Sequence, residues 1–451
     1  MTVTFMRFFG AALVGFALCS PTHAATPIAH WSQASGVQIY LAQSPSIPMV
    51  DVRIEFDAGD RRDPVGKAGL ATTMAASLAN GVRATAREPA LNENAVGEAW
   101  ADLGASFSAV ASGDRLSISM RALTDPEILT QAVTLAARQM AQPSFPAAVW
   151  QRDRPKWIAA LKEADTRPAT QVARAFAHAV FGNHPYGIDM TPQSLMHITV
   201  QDMVDLHGKA LRPCYAKVSV VGALGRAQTD ALVAQLFARM PAKTCPVLPA
   251  MPDVVPLQKA VQQDIAFPSA QAHVLLGQPG YARADPDHLA LIVGNHILGG
   301  GSATSRLTDE IREKRGLSYA VDSSFAAGLQ AGAFTISLQT RADQAHQALQ
   351  LAREVLKTFV EQGPTEAELQ AAKDHLTGSF PLLLDGNLKL LDNVSNMAWY
   401  DLPLDYLDHW TDDVQQLTVA DIRTAFARKL QPDRMVTVVL GAAPERGGKQ
   451  L

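Results

Sequence analysis

Alternation of apolar and polar residues predicts strands in both parts of the chain. Between Val50 and Asp57, valine, isoleucine and phenylalanine alternate with charged residues, and such a period of two is typical of a half-buried strand. Two longer stretches are predicted to be β-hairpins, SFSAVASGDRLSISMRAL (106–123) and SYAVDSSFAAGLQAGAFTISL (318–338), because strand-forming residues flank turns that contain glycine. The sequence therefore predicts a similar group of strands twice.

Each predicted hairpin is followed by two long stretches that have the apolar period of an amphipathic helix. After the first hairpin these stretches are 125–142 and 145–165, and after the second they are 342–363 and 365–380. Strands that are grouped into hairpins and followed by helices favour an α+β fold. We expect two similar halves, each with a mostly antiparallel sheet and with helices packed on one of its faces.

An internal repeat relates the two halves. Residues 417–443 repeat the pattern of residues 198–224 at an offset of 219 positions. Both segments begin with Thr-Val-x-Asp, which is typical of a helix N-terminus, and both end in a β-branched strand before Gly-Ala. We therefore predict a first domain at 25–245 and a second at 265–451, joined by a linker at 246–264 that contains four prolines.

Length, charge and hydropathy limit the classes of protein to which the chain can belong. Its 451 residues, of which 47% are hydrophobic, predict a folded protein of about two to four domains. A formal net charge of −4 offers no basic surface for nucleic acid. No apolar run reaches the roughly 18 residues that a membrane span requires.

The first 24 residues have the pattern of an export signal. Arg7 precedes the apolar run FFGAALVGFAL, and the segment Thr22-His23-Ala24 has small residues at the two positions that determine cleavage. We expect a signal peptide at 1–24 and an exported protein, periplasmic if the source cell has two membranes. Two cysteines follow the predicted cleavage point, Cys214 and Cys245. They could form one disulfide or remain two buried thiols, and their spacing leaves both possibilities open.

The stretch LGGGSATSRLTDEIREKRGLSYAV (298–321) opens with three glycines and has an aromatic strand at its end. It follows a helical pattern at 284–297 and lacks the Gly-Lys-Ser/Thr of a phosphate-binding loop. We predict instead a turn between two helices at Gly299, Gly300 and Gly301, after which Ser302 or Thr304 caps the second helix.

Arg312 and Tyr319 are the candidate functional pair in this stretch. Arg312 falls in the last turn of the predicted helix and Tyr319 at the start of the strand, so the two side chains could converge. A guanidinium and a phenol are both donors that could bind a peptide carbonyl. The alternatives are that Arg312 forms a surface ion pair with Asp309 and that Tyr319 packs on the sheet.

The internal repeat indicates that this polar pair occurs in one half only. When Gly104 is aligned with Gly316, Trp100 lies opposite Arg312 and Phe107 lies opposite Tyr319. The first half therefore has two aromatic residues where the second half has polar donors. Polar groups that are present in only one copy of a repeat are what a functional site would show.

The stretch 299–321 resembles the second-domain signature of the pitrilysin/insulinase-type metallopeptidases. The paired halves and the segment FGNHPYG (181–187) extend the resemblance over most of the chain. In that family an H-x-x-E-H helix of the first domain holds zinc together with a later glutamate. Here the matching helix, 68–82, has Thr72, Ala75 and Ala76 at those three positions, and none of these can ligate zinc.

The remaining zinc ligand of the family is missing as well. The resemblance places Ala159 or Ala160 where the family has its later glutamate, and Glu163 lies about one turn too far along. We therefore expect no metal and no cofactor in this chain, with zinc held by a partner.

The resemblance thus implies a role in a two-subunit peptidase. In such members of the family, one chain holds zinc and the other supplies an Arg/Tyr pair that binds peptide substrate and stabilises the transition state. Arg312 and Tyr319 match that pair, and the three glycines are expected to contribute to substrate binding. The predicted partner is a homologous subunit with H-x-x-E-H, and this chain should be inactive alone. The alternative is a non-catalytic scaffold or peptide-binding protein on the same fold.

Overall fold

A computed structural model describes residues 27–241 and 245–441 of the chain. The predicted signal peptide at 1–24 lies outside these residues. Within the described ranges the protein is built from two large β-sheets, their helices and one small two-stranded sheet. No helix in this part of the chain is long and apolar enough to cross a membrane.

Apart from Gly81–Val82 and Leu91–Asn92, which pair with each other, the described strands form two large sheets whose orders match except for the extra edge strand Ile28–Ser32. Their bounds are β1 Ile28–Ser32, β2 Gln38–Gln43, β3 Met49–Phe56, β4 Gly81–Val82, β5 Leu91–Asn92, β6 Ser106–Ser112, β7 Arg115–Leu123, β8 Lys217–Gly222, β9 Val261–Ile265, β10 Gln271–Pro279, β11 Ser318–Phe325, β12 Ala333–Arg341 and β13 Val436–Leu440. The first sheet has the order β1-β2-β8-β3-β7-β6 and the second β11-β12-β10-β13-β9. In each sheet one neighbouring pair is parallel, β2 with β8 and β9 with β13, and the other pairs are antiparallel.

The α-helices include the two predicted after each hairpin, and others besides. Their bounds are α1 Leu70–Ser77, α2 Glu93–Asp102, α3 Pro126–Ala141, α4 Ala147–Ala164, α5 Pro168–Phe181, α6 Pro192–His197, α7 Val200–Ala210, α8 Arg226–Phe237, α9 His288–Asn295, α10 Ala345–Gln362, α11 Glu366–Ser379, α12 Asn387–Trp399, α13 Tyr406–Gln416 and α14 Val419–Lys429. The four helices that the apolar period predicts correspond to α3, α4, α10 and α11. The prediction of an α+β fold with two similar halves is confirmed.

The repeat at an offset of 219 is visible in local structure. Thr199 and Thr418 cap α7 and α14, and in both helices the aspartate three residues later completes a capping box. Each helix leads through a short 3₁₀ turn into a central strand, β8 or β13. A Thr-x-x-Asp capping box provides hydrogen-bond acceptors for two backbone amides at the start of a helix. The same four-residue motif therefore begins equivalent helices in both halves.

Each sheet is covered on its second face by a helix from the opposite half. Helix α12 packs on β2, β3 and β8 of the first sheet, where Leu391 is 1% exposed. Helix α5 packs on β10 and β13 of the second sheet, where Phe176 is 5% exposed. The sequence predicted helices on one face of each sheet, and this exchange of helices between the halves was not predicted.

The exchange explains why β3 departs from its predicted exposure. Its polar residues were expected to face solvent, yet Asp51 is 1% exposed and Glu55 is 2% exposed. Both carboxylates are paired with arginines of β7, Asp51 with Arg121 at 2.6 Å and Glu55 with Arg115 at 2.8 Å. Buried charges need such partners, and α12 is the helix that removes this face of the sheet from water.

The proline-rich linker is bound to the first half over residues 246–252, whereas its last residues, 261–264, differ from the prediction and belong to β9 of the second sheet. The carbonyl oxygens of Pro246, Pro249 and Pro252 accept hydrogen bonds from Tyr215, Arg62 and His184, respectively. A spacing of three residues is the repeat of a polyproline II helix, which presents every third carbonyl on one side. At its start the linker is held by a disulfide between Cys214 and Cys245, whose Cα atoms are 6.2 Å apart. Of the two possibilities that the cysteine spacing left open, one disulfide or two buried thiols, the structure has the disulfide.

A buried carboxylate joins the hairpins of the two halves. Asp114, in the turn between β6 and β7, accepts hydrogen bonds from the hydroxyl of Tyr186 at 2.7 Å and from the amide of Leu329 at 2.8 Å. The amide of Gln330 donates to the same tyrosine oxygen at 3.2 Å. Arg61 Nε lies 2.7 Å from Asp114 as an ion pair, although its N–H is not aligned as a hydrogen bond. The tyrosine of FGNHPYG, Tyr186, thereby connects both halves.

Candidate functional site

The glycine run forms a π-helical continuation of α9. The α-helix passes at Asn295 directly into a π-helical segment, His296–Gly300, where the sequence predicted a turn. Asn295 and Ser323 of β11 exchange two hydrogen bonds, at 2.9 and 2.7 Å, and these fasten the segment to the strand. A Cβ atom at Gly299 would lie 2.6 Å from the backbone nitrogen of Ser323. A side chain at this glycine would therefore push the helix off the strand.

The three glycines consequently differ in what they can contribute. Gly299 is buried against β11, so its place in the structure is internal packing and not the substrate contact that the sequence predicted. Gly300 is exposed, and Gly301 is half-buried beside the ring of His296. Only the latter two are open to a bound peptide.

The helix after the glycines is capped differently from the prediction. The hydroxyl of Thr304 donates to the carbonyl of Gly301 at 3.1 Å, so it does not cap the helix that follows. The amide of Thr308 instead donates to the hydroxyl of Ser305 at 3.4 Å. The side chain of Ser302, the other predicted cap, lies outside the described part of the structure. The segment that follows, Thr308–Glu313, is again π-helical.

Arg312 and Tyr319 contact each other. The guanidinium carbon of Arg312 lies 4.8 Å from the centre of the Tyr319 ring, a cation–π arrangement. Tyr319 is 81% exposed, so it does not pack on the sheet. Arg312 pairs with Glu313 at 3.2 Å, whereas Asp309, the alternative partner, pairs with Lys314. The two donors therefore lie side by side at the surface.

The corresponding residues of the first half also contact each other, but as an aromatic pair in which Trp100 is buried and Phe107 is half-buried. Trp100 and Phe107 stack with ring centroids 5.7 Å apart and an interplanar angle of 18°. Trp100 is 7% exposed, and its indole N–H donates to Gln139. The two halves thus use the same pair of positions for different purposes, packing in the first half and a polar surface in the second.

The helix that matches the metal-binding helix of the family, α1, has no metal ligands. The hydroxyl of Thr72 donates to the carbonyl of Ala111 in β6 at 3.2 Å. Ala75 is 1% exposed, and Ala76 offers a methyl group at the surface. Zinc takes imidazole, thiolate or carboxylate ligands, so these three positions do not fit the metal.

The region of the later ligand does not compensate. Ala159 and Ala160 are exposed on α4, and Glu163 forms an ion pair with Arg167 at 2.7 Å. Within residues 27–241 and 245–441, no group of three or more histidine, cysteine, aspartate or glutamate side chains could hold a metal ion.

Two histidines of α9 and its continuation have partners that the sequence did not predict. His288 Nδ1 lies 3.0 Å from the hydroxyl of Tyr281, and burial lowers the pKa of His288 to about 4. His296 stacks on His375 of α11, with ring centroids 5.0 Å apart. Burial, followed by the charge of His375, lowers the pKa of His296. Because His375 is distant in sequence, nothing in the local pattern could have indicated this pair beside Gly301.

Comparison with known proteins relates the whole arrangement to one family. Residues 197–376 match the description "Peptidase M16 inactive domain". The crystal structure of a peptidase M16 inactive domain from Pseudomonas fluorescens is 32% identical, with a TM-score of 0.86 over 92% of this chain and 98% of that one. This likeness covers both sheets.

Two relatives carry different descriptions. An uncharacterized zinc protease of Streptomyces coelicolor is 30% identical over 295 residues, which are 63% of this chain and 63% of that protein's length. A non-peptidase homolog of Helicobacter pylori is 24% identical over 403 residues, 86% of this chain and 87% of that protein. The chain belongs to the M16 family of peptidases, the pitrilysin/insulinase type, and it matches the inactive domain of that family.

Proposed function

We propose that this chain is the zinc-free subunit of a two-chain metalloendopeptidase. A homologous partner with an H-x-x-E-H helix holds the zinc, and this chain supplies Arg312 and Tyr319 to the bound peptide. The observation that carries the proposal is the contact between an exposed tyrosine and an arginine at positions that are aromatic and stacked on each other in the first half.

The chemistry of the pair suits peptide hydrolysis. When water adds to a peptide carbonyl, its oxygen gains negative charge, and donors that are already fixed near this oxygen stabilise the charge. Arg312 offers guanidinium N–H groups and Tyr319 a phenolic O–H. The guanidinium contacts both the ring of Tyr319 and the carboxylate of Glu313. Each such donor contributes about 10²- to 10³-fold to turnover.

The lack of metal ligands in α1 supports a division of labour between two chains. Thr72, Ala75 and Ala76 remove every ligand from the helix, while the polar pair of the second half is retained. A chain that had lost all function would need neither donor at its surface. Peptide hydrolysis by this chain therefore requires a zinc site from another chain, and we expect no hydrolysis by the protein alone.

The test begins with the partner. The mature protein is isolated from the exported fraction of its native cell, and co-purifying proteins are identified by mass spectrometry. We expect a stoichiometric partner of similar size that contains H-x-x-E-H, and hydrolysis of a peptide mixture by the complex only. In the reconstituted complex, Arg312→Ala and Tyr319→Phe should each lower kcat about 10²-fold and leave the complex intact by size-exclusion chromatography.

Arg341 provides the matched control. It is an exposed arginine of the same half, at the end of β12, and it is paired with Asp343. Arg341→Ala should therefore leave turnover unchanged. Unaltered kcat in both Arg312→Ala and Tyr319→Phe, with the complex intact, would remove the role assigned to the pair.

A second candidate function is a non-catalytic scaffold or peptide-binding protein. The description of the Helicobacter pylori relative as a non-peptidase homolog favours it. This candidate predicts that the chain is recovered alone, or with a partner that lacks H-x-x-E-H. In that case Arg312 and Tyr319 would affect peptide binding without any effect on hydrolysis.

We also propose that the protein is exported, into the periplasm if the cell has two membranes. The disulfide between Cys214 and Cys245 supports this location, because such bonds persist in oxidising compartments. The proposed domains are 25–245 and 265–451 with the linker 246–264 between them. Fractionation of the native cell and N-terminal sequencing of the mature protein test the location and the cleavage near Ala25.

A further inference from the structure

Tyr319 is the extra residue of a β-bulge. Along β11, Ser318 lies opposite Thr340 of β12, and Ala320 lies opposite Gln339, so Tyr319 has no residue of its own on the partner strand. A bulge of this kind shifts the alternation of side chains by one position. Ser318 is buried, Tyr319 and the next residue are both exposed, and burial alternates again from there on.

Without the bulge the tyrosine would point into the protein. Residues two apart in a regular strand share a face, and Val321, two residues after Tyr319, is 8% exposed in the second core. The first half supplies the comparison. Its strand β6 pairs with β7 without a shift, and Phe107 lies on the inner face and stacks on Trp100. The bulge is thus the feature that turns the aromatic ring of the second half outward.

Two buried hydroxyls hold the bulge. The hydroxyl of Ser318, a residue only 5% exposed, lies 2.7 Å from the carbonyl of Ala320 and 2.6 Å from that of Gln339, one on each strand. Thr340, which is 3% exposed, donates through its hydroxyl to the carbonyl of Leu317. A bulge interrupts the backbone ladder, and buried carbonyls that lose their partners destabilise it unless other donors replace them. The hydroxyls of Ser318 and Thr340 are such donors, and the single proton of Ser318 serves one of its two carbonyls at a time.

We propose that Ser318 and Thr340 are positioning residues for the Arg312–Tyr319 pair. By donating to carbonyls on both sides of the bulge, they keep the phenol at the surface and its ring beneath the guanidinium. The importance of this positioning for hydrolysis rests on the function proposed above, whereas the positioning itself does not.

The positioning is tested by NMR on the isolated chain, without any partner. In protein labelled with ¹⁵N-arginine, the ring current of Tyr319 should shift the side-chain N–H signals of Arg312 upfield. Arg312→Lys identifies these signals, and Tyr319→Leu gives their unshifted position. Ser318→Ala and Thr340→Val should each move them to the unshifted position. Thr340→Ser keeps the hydroxyl and should keep the shift.

Thr335 is the matched control, because it lies on the same strand, is half-buried, and pairs with Ser324 in the regular part of the ladder. Thr335→Val should leave the Arg312 signals in place. Circular dichroism shows which of the two variants, Ser318→Ala and Thr340→Val, is folded. Because the two residues lie on opposite strands, one folded variant is sufficient for the test. Retention of the upfield shift in a folded Ser318→Ala or Thr340→Val variant would overturn the proposal.

The reconstituted complex separates the two levels of inference. If Tyr319 acts in hydrolysis, Thr340→Val should lower kcat by the same factor as Tyr319→Leu, and Thr340→Ser should restore it. A variant that loses the ring-current shift and keeps full turnover upholds the positioning of Tyr319 and overturns its role in hydrolysis.

Discussion

Replacement of Asp114 by asparagine should loosen the contact between the two hairpins. The side chain of Asp114 is 8% exposed and that of Arg61 is 3% exposed, so their ion pair lies almost entirely away from water. The asparagine side chain would keep one acceptor oxygen, and its amide group would face donors in place of the second oxygen. The hydroxyl of Tyr186 and the amide of Leu329 could then no longer both be satisfied.

The magnitude follows from what each group loses. Removal of one partner from a buried ion pair costs about 3–5 kcal/mol. Arg61 keeps a second carboxylate, Asp57 at 2.6 Å, so the lower end applies to the ion pair. A buried amide without an acceptor costs about 1–3 kcal/mol. Because the groups act as a unit, we expect a total loss of about 3–5 kcal/mol from the free energy of unfolding, not the sum of the separate values.

Hydrogen exchange measures the local part of this effect. The amides of Leu329 and Gln330 donate to Asp114 and Tyr186, so both should exchange roughly 10- to 100-fold faster in Asp114→Asn, in line with a local loss of about 1–3 kcal/mol. Asp102, exposed at the end of α2, is the control. Asp102→Asn should change neither exchange nor stability by more than about 0.5 kcal/mol. Equal exchange of both amides in the two variants would refute the reasoning.

Two other substitutions test the exchange of helices and the buried histidine. Leu391→Ala in α12 should lower the free energy of unfolding by about 2–5 kcal/mol and speed amide hydrogen exchange in β8 of the other half. Leu388 on the same helix is 49% exposed, so Leu388→Ala should do neither. Equal effects of the two substitutions would contradict the packing of α12 on the first sheet. The pKa of His288, lowered to about 4, means that the unfolded chain binds the proton more tightly, so stability is full above pH 6.5 and falls as the pH drops toward 4. Between pH 6.5 and 4 the free energy of unfolding of the wild type, measured by urea titration, should fall by up to about 3 kcal/mol more than that of His288→Gln. If the two proteins lose stability in parallel as the pH falls, burial does not lower the pKa of His288.

The sequence predicted well those features that depend on local pattern. The Thr-x-x-Asp boxes, the strands before Gly-Ala and the long amphipathic helices all appear where the apolar period and capping residues place them. The contact between Arg312 and Tyr319 also followed from local pattern, since a helix end and a strand start separated by Gly316 bring the two positions together. Gly316 has φ of 62°, and Gly104 repeats this with 57° in the first half.

The features that the sequence did not predict depend on distant residues. The apolar stripes of α5 and α12 show that each helix is buried, but a stripe does not indicate which sheet it covers. Asp51 and Glu55 were expected at the surface because the alternation of apolar and polar residues identifies the polar face of a strand. It does not show that a helix from the other half covers that face. The bulge at Tyr319 is held by Thr340 from the neighbouring strand, so β11 alone does not reveal it.

The exchange of α5 and α12 has a consequence for the order in which the chain can fold. When synthesis has reached the linker, the first sheet has all its strands, but the apolar strip of Tyr40, Ala42 and Val221 still awaits a helix that is not yet made. Helix α5 is already present and awaits β10 and β13. The first half therefore cannot finish folding before α12 is made, and the surface that α5 covers is complete only with the last strand, β13. A nascent chain of this design should depend on chaperones until its final residues emerge, and fragments cut at the linker should regain structure only when they are mixed.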